Sequence, residues 1–337
     1  MSEDKATETL DSDTLVERLR PNLDELERER QDRRRKALIW IGVLGGVVLA
    51  VAIASALGMA RQAGAQGAGF GTFPLIFGGV LLVLLGARLN KRWQKRFGAM
   101  MIPAVLEQID SSFDYREDAD KNFVKPYSEL ELIGYWNRGE VQHRIDGSYQ
   151  GRRFEMVHAN LLNHSGGKNS STTSVFHGLL VRIQTRNNVE PGLCIRPNFG
   201  WFAKAFGKRS VPTGNEAFDD VFLVSPDDGS DLDTEKLNQS LTPDWQEALL
   251  AINKQLGITA HGQPKLSAGL KYDALYLTVA LYREGRSFGP FRSERSRPFP
   301  EVGNLFSSDP DLEGSLRRLI DDIGTFRRII DRLPREA

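Results

Sequence analysis

The chain has 337 residues, and its 44 lysines and arginines are balanced by 44 aspartates and glutamates, so the formal net charge at pH 7 is zero. This balance excludes the overall basic excess that is typical of nucleic-acid-binding proteins, and we expect no nucleic acid among its partners. A single cysteine, Cys194, excludes an internal disulfide bond and is typical of a reducing compartment. The length leaves room for one or two soluble units beside any membrane segment.

Two uncharged segments near the start of the chain predict a transmembrane hairpin. Residues 37–60 form 24 consecutive residues without a charge. A helix that rises about 1.5 Å per residue crosses a hydrocarbon core of about 30 Å over that length. The second segment is uncharged over 62–87, and its strongly apolar part lies at about 70–85. A pair of buried helices in a soluble core is the alternative, but the segments are long and their flanks are densely basic.

The charges beside these segments predict their orientation. Six lysines and arginines precede the first segment and five follow the second, whereas only Arg61 lies between them. By the positive-inside rule both ends of the hairpin lie in the cytoplasm. The first 36 residues are polar and contain no cleavable signal peptide, so the first span would be an uncleaved anchor. We therefore predict a protein of the cell (inner) membrane with two spans, cytoplasmic N- and C-termini, and the lipid bilayer as a partner.

Small residues recur at every fourth position of the first span. On a helix such residues lie along one face and allow another backbone to approach closely. We expect this face to pack against the second span of the same chain. A homo-oligomer built through the first span is the alternative. The residues of this small-residue stripe are Gly42, Gly46, Ala50, Ala54 and Gly58.

The hairpin and the patterns that follow it predict the domain organisation. Pro21 is well placed to begin a helix that leads into the first span. The predicted boundaries are a polar, partly helical N-terminal segment at 1–36, spans at 37–60 and 70–89, a short extracytoplasmic loop at 61–69, a helical connector at 90–128, an α+β domain at 129–308 and an amphipathic helix at 309–334.

Hydrophobic periodicity predicts the fold class of the region after the spans. Strand patterns come first and helix patterns later, with a turn at Gln150–Gly151 joining two consecutive strands. This order favours an antiparallel sheet, so the fold class is an α+β cytoplasmic domain tethered by an N-terminal two-helix transmembrane hairpin. The predicted strands are Val141–Tyr149, Arg152–Leu162, Val175–Thr185, Gly192–Arg196, Phe218–Ser225 and Leu275–Leu281, and the predicted central helix is Leu241–Leu256.

Two local motifs invite a chemical interpretation that their residues do not support. The loop His164–Lys168 resembles a phosphate-binding loop, but that motif needs a glycine where Leu162 stands and a Ser or Thr where Asn169 stands. Cys194 lies in an apolar segment, where a buried and unreactive thiol is expected. We therefore predict no catalytic residue and no cofactor site from these motifs.

The five histidines show no spacing that indicates a metal site. Glu155 and His158 are three residues apart on a predicted strand, so they are expected on opposite faces of it. We therefore predict that the protein has no metal site. An enzyme whose site is assembled from dispersed residues is the alternative, and its candidate residues are His143, His158, Glu155 and Asp146.

A basic and aromatic segment at 283–297 is the best candidate for recognition of a lipid headgroup or a partner. Arginine and phenylalanine together can bind anionic groups, although two glutamates dilute the charge and a solvated loop is the simpler interpretation. The candidate contact residues are Arg283, Arg286, Phe288, Phe291 and Arg292.

Five short motifs follow one another in order over about residues 100–290. They are Phe113-Asp-Tyr115, His143-Arg-Ile-Asp-Gly-Ser-Tyr-Gln-Gly151, Phe176-His-Gly178, Phe218-Asp-Asp-Val-Phe-Leu-Val-Ser225 and Leu241-Thr-Pro-Asp-Trp245. Together they resemble a bacterial membrane family catalogued as domain of unknown function 3137. The resemblance implies two N-terminal spans followed by a cytoplasmic domain, and it implies no reaction and no catalytic residues. The chain departs from the family in Asp219 and Asp220, where glutamate is favoured.

These patterns predict a non-enzymatic role. We expect a membrane-anchored binding or scaffolding module that recognises a protein partner at the cytoplasmic face and needs no cofactor. The alternatives are an enzyme with a dispersed active site and a module that binds anionic lipid headgroups.

Overall fold

The structure, a computed structural model, describes residues 12–63, 72–167, 170–198, 210–257, 265–284, 294–296 and 298–334. The chain divides into two compact units. The hairpin unit contains the described residues up to 105 together with 300–320, and the sheet unit contains 106–299 together with the described residues from 321. The α+β class and the antiparallel sheet are confirmed.

Two long helices form the hairpin unit. Helix α1 is Ser12–Ala63 and helix α2 is Thr72–Ile109. Each is long and apolar enough to cross a membrane, and only 11% and 6% of their apolar windows are buried. The core helix of a soluble protein would be mostly buried over that length, so these values disfavour two core helices as the alternative.

The start of α1 differs from the prediction. Pro21 lies inside the helix, which is already formed at Ser12. A proline in a helix interior removes one hydrogen bond and crowds the preceding turn. Burial of apolar side chains on both sides of the proline offsets that cost. These buried side chains are Leu15, Val16, Leu19, Leu23 and Leu26.

Within its described residues, the sheet unit contains six antiparallel strands in one sheet and two short strands in another. In the main sheet β1, β2, β3, β4 and β5 pair in that order, and β6 also pairs with β4. The strands are β1 Asp114–Asp118, β2 Arg138–Tyr149, β3 Arg152–Ser165, β4 Ser171–Pro197, β5 Phe222–Pro226, β6 Leu266–Ala280, β7 Tyr282–Glu284 and β8 Glu294–Ser296.

Strand β4 is the longest strand and replaces two predicted ones. Its first half pairs with β3, its second half pairs with β5, and β6 pairs with both halves. The polar residues that suggested a break between two strands lie between Gln184 and Leu193, where the β4–β6 register is irregular but the strand continues. The predicted strand Phe218–Ser225 is wrong in its first half, where Asn215 caps a short helix through the Phe218 amide.

Within the described residues, α2 is followed by one 3₁₀ helix, Lys121–Val124, and by five α-helices: α3 Lys125–Glu129, α4 Glu216–Asp219, α5 Thr234–Ser240, α6 Pro243–Leu256 and α7 Leu312–Arg332. Helix α6 confirms the predicted central helix, with Thr242 at its N-cap position, Pro243 in its first turn and Gly257 at a φ of 75° after its end. Helix α7 confirms the predicted amphipathic helix.

Alternation along β3 defines the two faces of the sheet. The first face carries Val157 and Ala159, which are buried in one hydrophobic cluster with Tyr127 of α3. The second face carries Phe154, whose ring stacks on Phe326 of α7 with centroids 4.4 Å apart. Both faces are therefore packed in the middle of β3, and each buries large apolar side chains that stabilise the sheet unit.

Candidate functional site

A β-bulge in β2 decides which polar side chains share a face. Gln142 pairs with His158 and Ile145 pairs with Met156, so His143 and Arg144 together stand opposite one residue of β3. His143 has a φ of 55°, in the left-handed region that non-glycine residues seldom occupy. Bulges of this kind redirect side chains and are common beside functional sites. This bulge leaves Arg144 on the first face and directs His143 to the second.

A charged cleft of about 610 Å³ lies on the first face, beyond the hydrophobic cluster. Strands β1, β2, β3, β4 and β6 all contribute to its lining. Four arginines and four acids line it, so the charges of its side chains sum to zero. These residues are Arg116, Arg144, Arg153, Arg182, Asp114, Asp146, Glu155 and Asp273.

Arg144 holds two carboxylates of the cleft at once. Its Nε donates to Asp146 at 2.8 and 2.9 Å, and its Nη2 donates to Glu155 at 2.6 Å. Burial alone would lower the pKa of the Arg144 guanidinium, but the Asp146 hydrogen bond and the surrounding carboxylates outweigh it, so that pKa lies above its usual value. Both acids already accept charge-assisted hydrogen bonds, so neither is a free base.

Other ion pairs extend this network around the cleft. Arg116 lies 3.0 Å from Asp114 and 3.7 Å from Asp146. Arg182 lies 3.5 Å from the second oxygen of Glu155, and its guanidinium carbon lies 5.9 Å from the centre of the Tyr276 ring. Arg116, Arg144 and Arg182 all line the cleft, and a guanidinium group carries five N–H donors in all.

Arg153 differs from the other three arginines of the cleft. It is exposed, and within the described part of the chain it forms no ion pair. A guanidinium with all five donors available can bind a carboxylate in a two-point geometry. Arg153 is therefore the cation of the cleft that is ready to bind an external acidic group.

Three histidines meet on the second face of the sheet. His143, His158 and His177 are only 3%, 7% and 6% exposed. The Nε2 atoms of His158 and His177 lie 3.4 Å apart, and His143 Nδ1 lies 2.9 Å from the Tyr115 hydroxyl. The Phe299 ring stacks on His158 with centroids 5.6 Å apart, so it covers the cluster.

The histidine cluster lacks the geometry of an accessible reaction centre. Burial, followed by the charges of Glu117 and Asp118, raises the pKa of Tyr115 well above its usual value, which keeps its hydroxyl protonated. Over the described residues, no group of three or more His, Cys, Asp or Glu side chains is arranged to hold a metal ion. The buried rings would have to be uncovered before a substrate reached them.

The dispersed active site considered from the sequence is not assembled. His143 and His158 lie on the second face, whereas Glu155 and Asp146 line the cleft on the first face. The sheet itself separates the two pairs. The bulge is the physical cause, because without it His143 would share a face with Val141 and point to the hydrophobic cluster.

The basic and aromatic segment falls mostly outside the described residues. Arg286, Phe288, Phe291 and Arg292 all lie outside them. The backbone of Arg283 lies in β7, opposite Arg295 of β8. The two ends of the segment therefore pair as strands, where the sequence favoured a continuous loop.

The small-residue stripe does not face the second span. A Cβ added at Gly42 or Gly46 would meet nothing within 4 Å, and Ala50 and Ala54 are exposed. The side-chain environment of Gly58 lies outside the described part. The expected packing of this stripe against α2 is therefore wrong.

The two helices of the hairpin approach each other through different residues. A Cβ at Gly78 of α2 would overlap the side chain of Val48 of α1, and a Cβ at Gly45 would lie 4.0 Å from Leu82. Ala52 is 4% exposed. Gly45, Val48 and Ala52 are three and four residues apart, so they lie on one face of α1. This contact face is a different face of the helix from the one that carries the small-residue stripe.

Cys194 is buried, as the sequence predicts. It is 2% exposed, and its Sγ donates to the carbonyl oxygen of Leu130 at 2.6 Å. Burial raises the pKa of this thiol to about 11. A thiol that stays protonated is a poor nucleophile, so Cys194 has a structural role.

The sequence contains a signal for the charged cleft that does not belong to any catalytic motif. Charged or polar side chains two residues apart lie on one face of a strand. Four strands carry such a pair, and all eight residues line the cleft. The pairs are Asp114 and Arg116, Arg144 and Asp146, Arg153 and Glu155, and Arg182 and Gln184.

Comparison with known proteins adds a likeness in backbone alone. No family model matches the sequence, and no curated protein matches it. Among solved structures, the chain is similar to the crystal structure of the mycobacterial trehalose monomycolate transport factor A (TtfA), with a TM-score of 0.32 and 7% sequence identity over 73% of this chain and 99% of that one. A likeness at this level carries no argument about function. The resemblance to domain of unknown function 3137 stays a prediction.

Proposed function

We propose that this chain is a membrane-anchored binding module that presents its charged cleft to a protein partner. The observation that carries the proposal is the cleft of about 610 Å³ itself, with four arginines and four acids on one sheet face. Mixed charges in a cleft select for a ligand with the complementary arrangement of both signs, and they reject ligands of a single sign by repulsion. A protein segment with alternating charges fits that requirement, whereas a nucleic acid does not.

The remaining surface of the sheet unit supports polar recognition. Among its described residues, the large hydrophobic side chains that are exposed are Tyr135 at 75% and Tyr272 at 51%. Binding through an apolar patch needs a contiguous exposed surface of several such residues. The partner is therefore recognised by charge and hydrogen bonding, with the ion pairs of Arg144 and Arg182 exchanging for pairs with the partner.

The anchor is the hairpin of α1 and α2. Both helices are long and apolar enough to span a bilayer, and both apolar windows are almost unburied. Basic residues flank the hairpin on the side of its two ends, which supports cytoplasmic N- and C-termini at the inner membrane. The cleft is then held at the cytoplasmic face, where tethering raises the effective concentration of any partner in or on the same membrane.

Site-specific photocrosslinking in native membranes tests this function. A photoreactive amino acid replaces Ser148, an exposed residue of the cleft lining, and in a matched control it replaces Lys236, an exposed residue of α5 outside the lining. We expect one dominant adduct from Ser148 that is absent from Lys236, with the crosslinked partner identified by mass spectrometry. A crosslink to a second copy of this chain would show that the partner is the same protein and that the chain forms a homo-oligomer. Identical adducts from both positions would contradict docking at the cleft.

A further inference from the structure

A groove of about 460 Å³ lies between α1 and α2 where the apolar spans meet their basic flanks. On α1 its lining begins at Arg33 and ends at Leu44, about 16 Å further along the helix axis. On α2 it lies between Leu85 and Trp93, about 12 Å along the axis. The groove therefore has the length of the upper part of an acyl chain with its headgroup.

The lining changes from charged to apolar along the groove. Arg33, Lys36 and Arg92 lie at the end near the basic flanks, and Leu44 and Leu85 lie at the end within the spans. This gradient matches an amphiphile with an anionic head and a hydrocarbon tail. A soluble anion would leave the apolar end unused, and an uncharged helix of a partner protein would leave Arg92 without a counter-charge.

A third wall turns the gap between the helices into a built site. Leu305 lines the groove and is 2% exposed. Its amide donates to Asn90 Oδ1 at 2.9 Å, and its carbonyl oxygen accepts from Arg30 Nη1 at 3.2 Å. The indole of Trp93, also in the lining, donates to the carbonyl oxygen of Gly303 at 3.2 Å. Both helices thus fix this wall.

The three cations differ in whether a carboxylate of the chain pairs with them. Arg33 lies 2.6 Å from Glu29, and Lys36 lies 2.6 Å from Asp32. Arg92 has no carboxylate partner within the described part of the chain, although it is exposed at the mouth of the groove. A cation without a counter-charge beside an apolar groove is the arrangement that a lipid phosphate would complete.

We propose that this groove binds one anionic phospholipid of the surrounding bilayer. The phosphate lies against Arg92, with Arg33 and Lys36 adding to the positive potential, and one acyl chain lies along Leu44 and Leu85. This inference is independent of the charged cleft, because it concerns only the hairpin unit. It assigns the basic flank a specific ligand in addition to its role in orientation.

Native mass spectrometry of the purified full chain in detergent micelles tests the proposal. The probes are dioleoyl phosphatidylglycerol and, as the neutral lipid with the same chains, dioleoyl phosphatidylcholine. We expect one retained phosphatidylglycerol with an apparent Kd about fivefold or more below that of phosphatidylcholine, the difference expected of one cation near a membrane surface. Equal affinities for the two lipids would overturn the proposal.

Two arginine variants locate the site. Arg92→Gln removes the unoccupied cation and should raise the Kd for phosphatidylglycerol about fivefold. Arg35→Gln removes a charge from the same basic flank outside the groove lining and should leave that Kd unchanged. Both residues are exposed, so both variants are expected to fold. Equal losses in the two variants would show a diffuse attraction and overturn the assigned site.

Two further measurements address the apolar end of the groove and the source of the phosphate. Leu85→Trp fills the groove and should reduce retention of both lipids, with an unchanged melting temperature showing that the variant is folded. Soluble glycerol phosphate at millimolar concentration should not displace the lipid, because it lacks the chain. Displacement by glycerol phosphate, or full retention of phosphatidylglycerol in folded Leu85→Trp, would contradict a lipid site.

Discussion

The Nη2 atom of Arg144 on β2 lies 2.6 Å from Oε1 of Glu155 on β3. This pair joins two neighbouring strands at the centre of the charged cleft. Its side chains are only 24% and 29% exposed, so solvent screens it less than an ordinary surface ion pair. It is therefore both a part of the binding surface and a contribution to the stability of the sheet unit.

A double-mutant cycle on this pair should show measurable coupling. We expect Arg144→Gln and Glu155→Gln each to destabilise the protein by about 1 kcal/mol, with a coupling energy of about 0.5–1 kcal/mol between them. The measurement is the free energy of unfolding from chemical denaturation of the full chain in detergent. Coupling that disappears only at molar salt would agree with a partly buried pair. Additive losses would show that the pair contributes nothing beyond its separate side chains.

Leucine substitutions should distinguish the contact face of the hairpin from its outer face. Gly78→Leu places a side chain where Val48 lies, and we expect a loss of about 1–3 kcal/mol. Gly46→Leu places the same side chain in open space and should be neutral. Unfolding by sodium dodecyl sulfate in mixed micelles measures both. A larger loss at Gly46 than at Gly78 would contradict the observed helix contact.

Glu27 should make the hairpin unit sensitive to acid. Its carboxylate accepts two hydrogen bonds of 2.8 Å from Arg30, and these hold its pKa below its usual value of 4.5, although burial opposes them. A lowered folded-state pKa contributes stability above pH 4.5 that is lost as the pH falls through the folded-state value. The difference in melting temperature between wild type and Glu27→Gln should therefore shrink below pH 4.5. A difference that is constant from pH 7 to pH 3 would contradict the pair.

Cys194 should react only after unfolding. Its pKa of about 11, raised by burial above the usual value of 9.0, keeps the folded thiol protonated. The folded state then holds a proton that the unfolded state releases, so stability falls as the pH rises from 9 toward 11. Maleimide labelling at pH 8 should follow the unfolding transition in denaturant. Rapid stoichiometric labelling of the native protein would show that the thiol is accessible.

Local sequence signals predicted the parts of the fold that local chemistry determines. The turn between β2 and β3 is one example, because Gln150 and Gly151 both adopt positive φ and allow Tyr149 to pair with Arg152. The apolar stripe of α7 is another. In each case neighbouring residues alone favour the observed conformation.

Pairing between strands determines the parts of the fold that local sequence patterns did not predict. Strand β1 has the sequence DYRED, which lacks an apolar alternation, and it forms only because its backbone pairs with β2. The bulge at His143 is hidden because Val141, His143 and Ile145 keep a regular spacing along the chain. The sequence shows the cleft only as pairs of charged or polar residues two positions apart. Whether these pairs lie close together depends on the register of five strands.

The most direct test of the central claim measures crosslinking from Ser148 in membranes after reversal of one charge in the cleft. Arg153→Glu changes the cleft cation that has no ion pair within the described residues, and Arg138→Glu makes the same change at an exposed residue of β2 outside the lining. We predict that Arg153→Glu reduces the yield of the partner adduct about tenfold and that Arg138→Glu leaves it unchanged. An adduct of equal yield in both variants would contradict docking at the cleft.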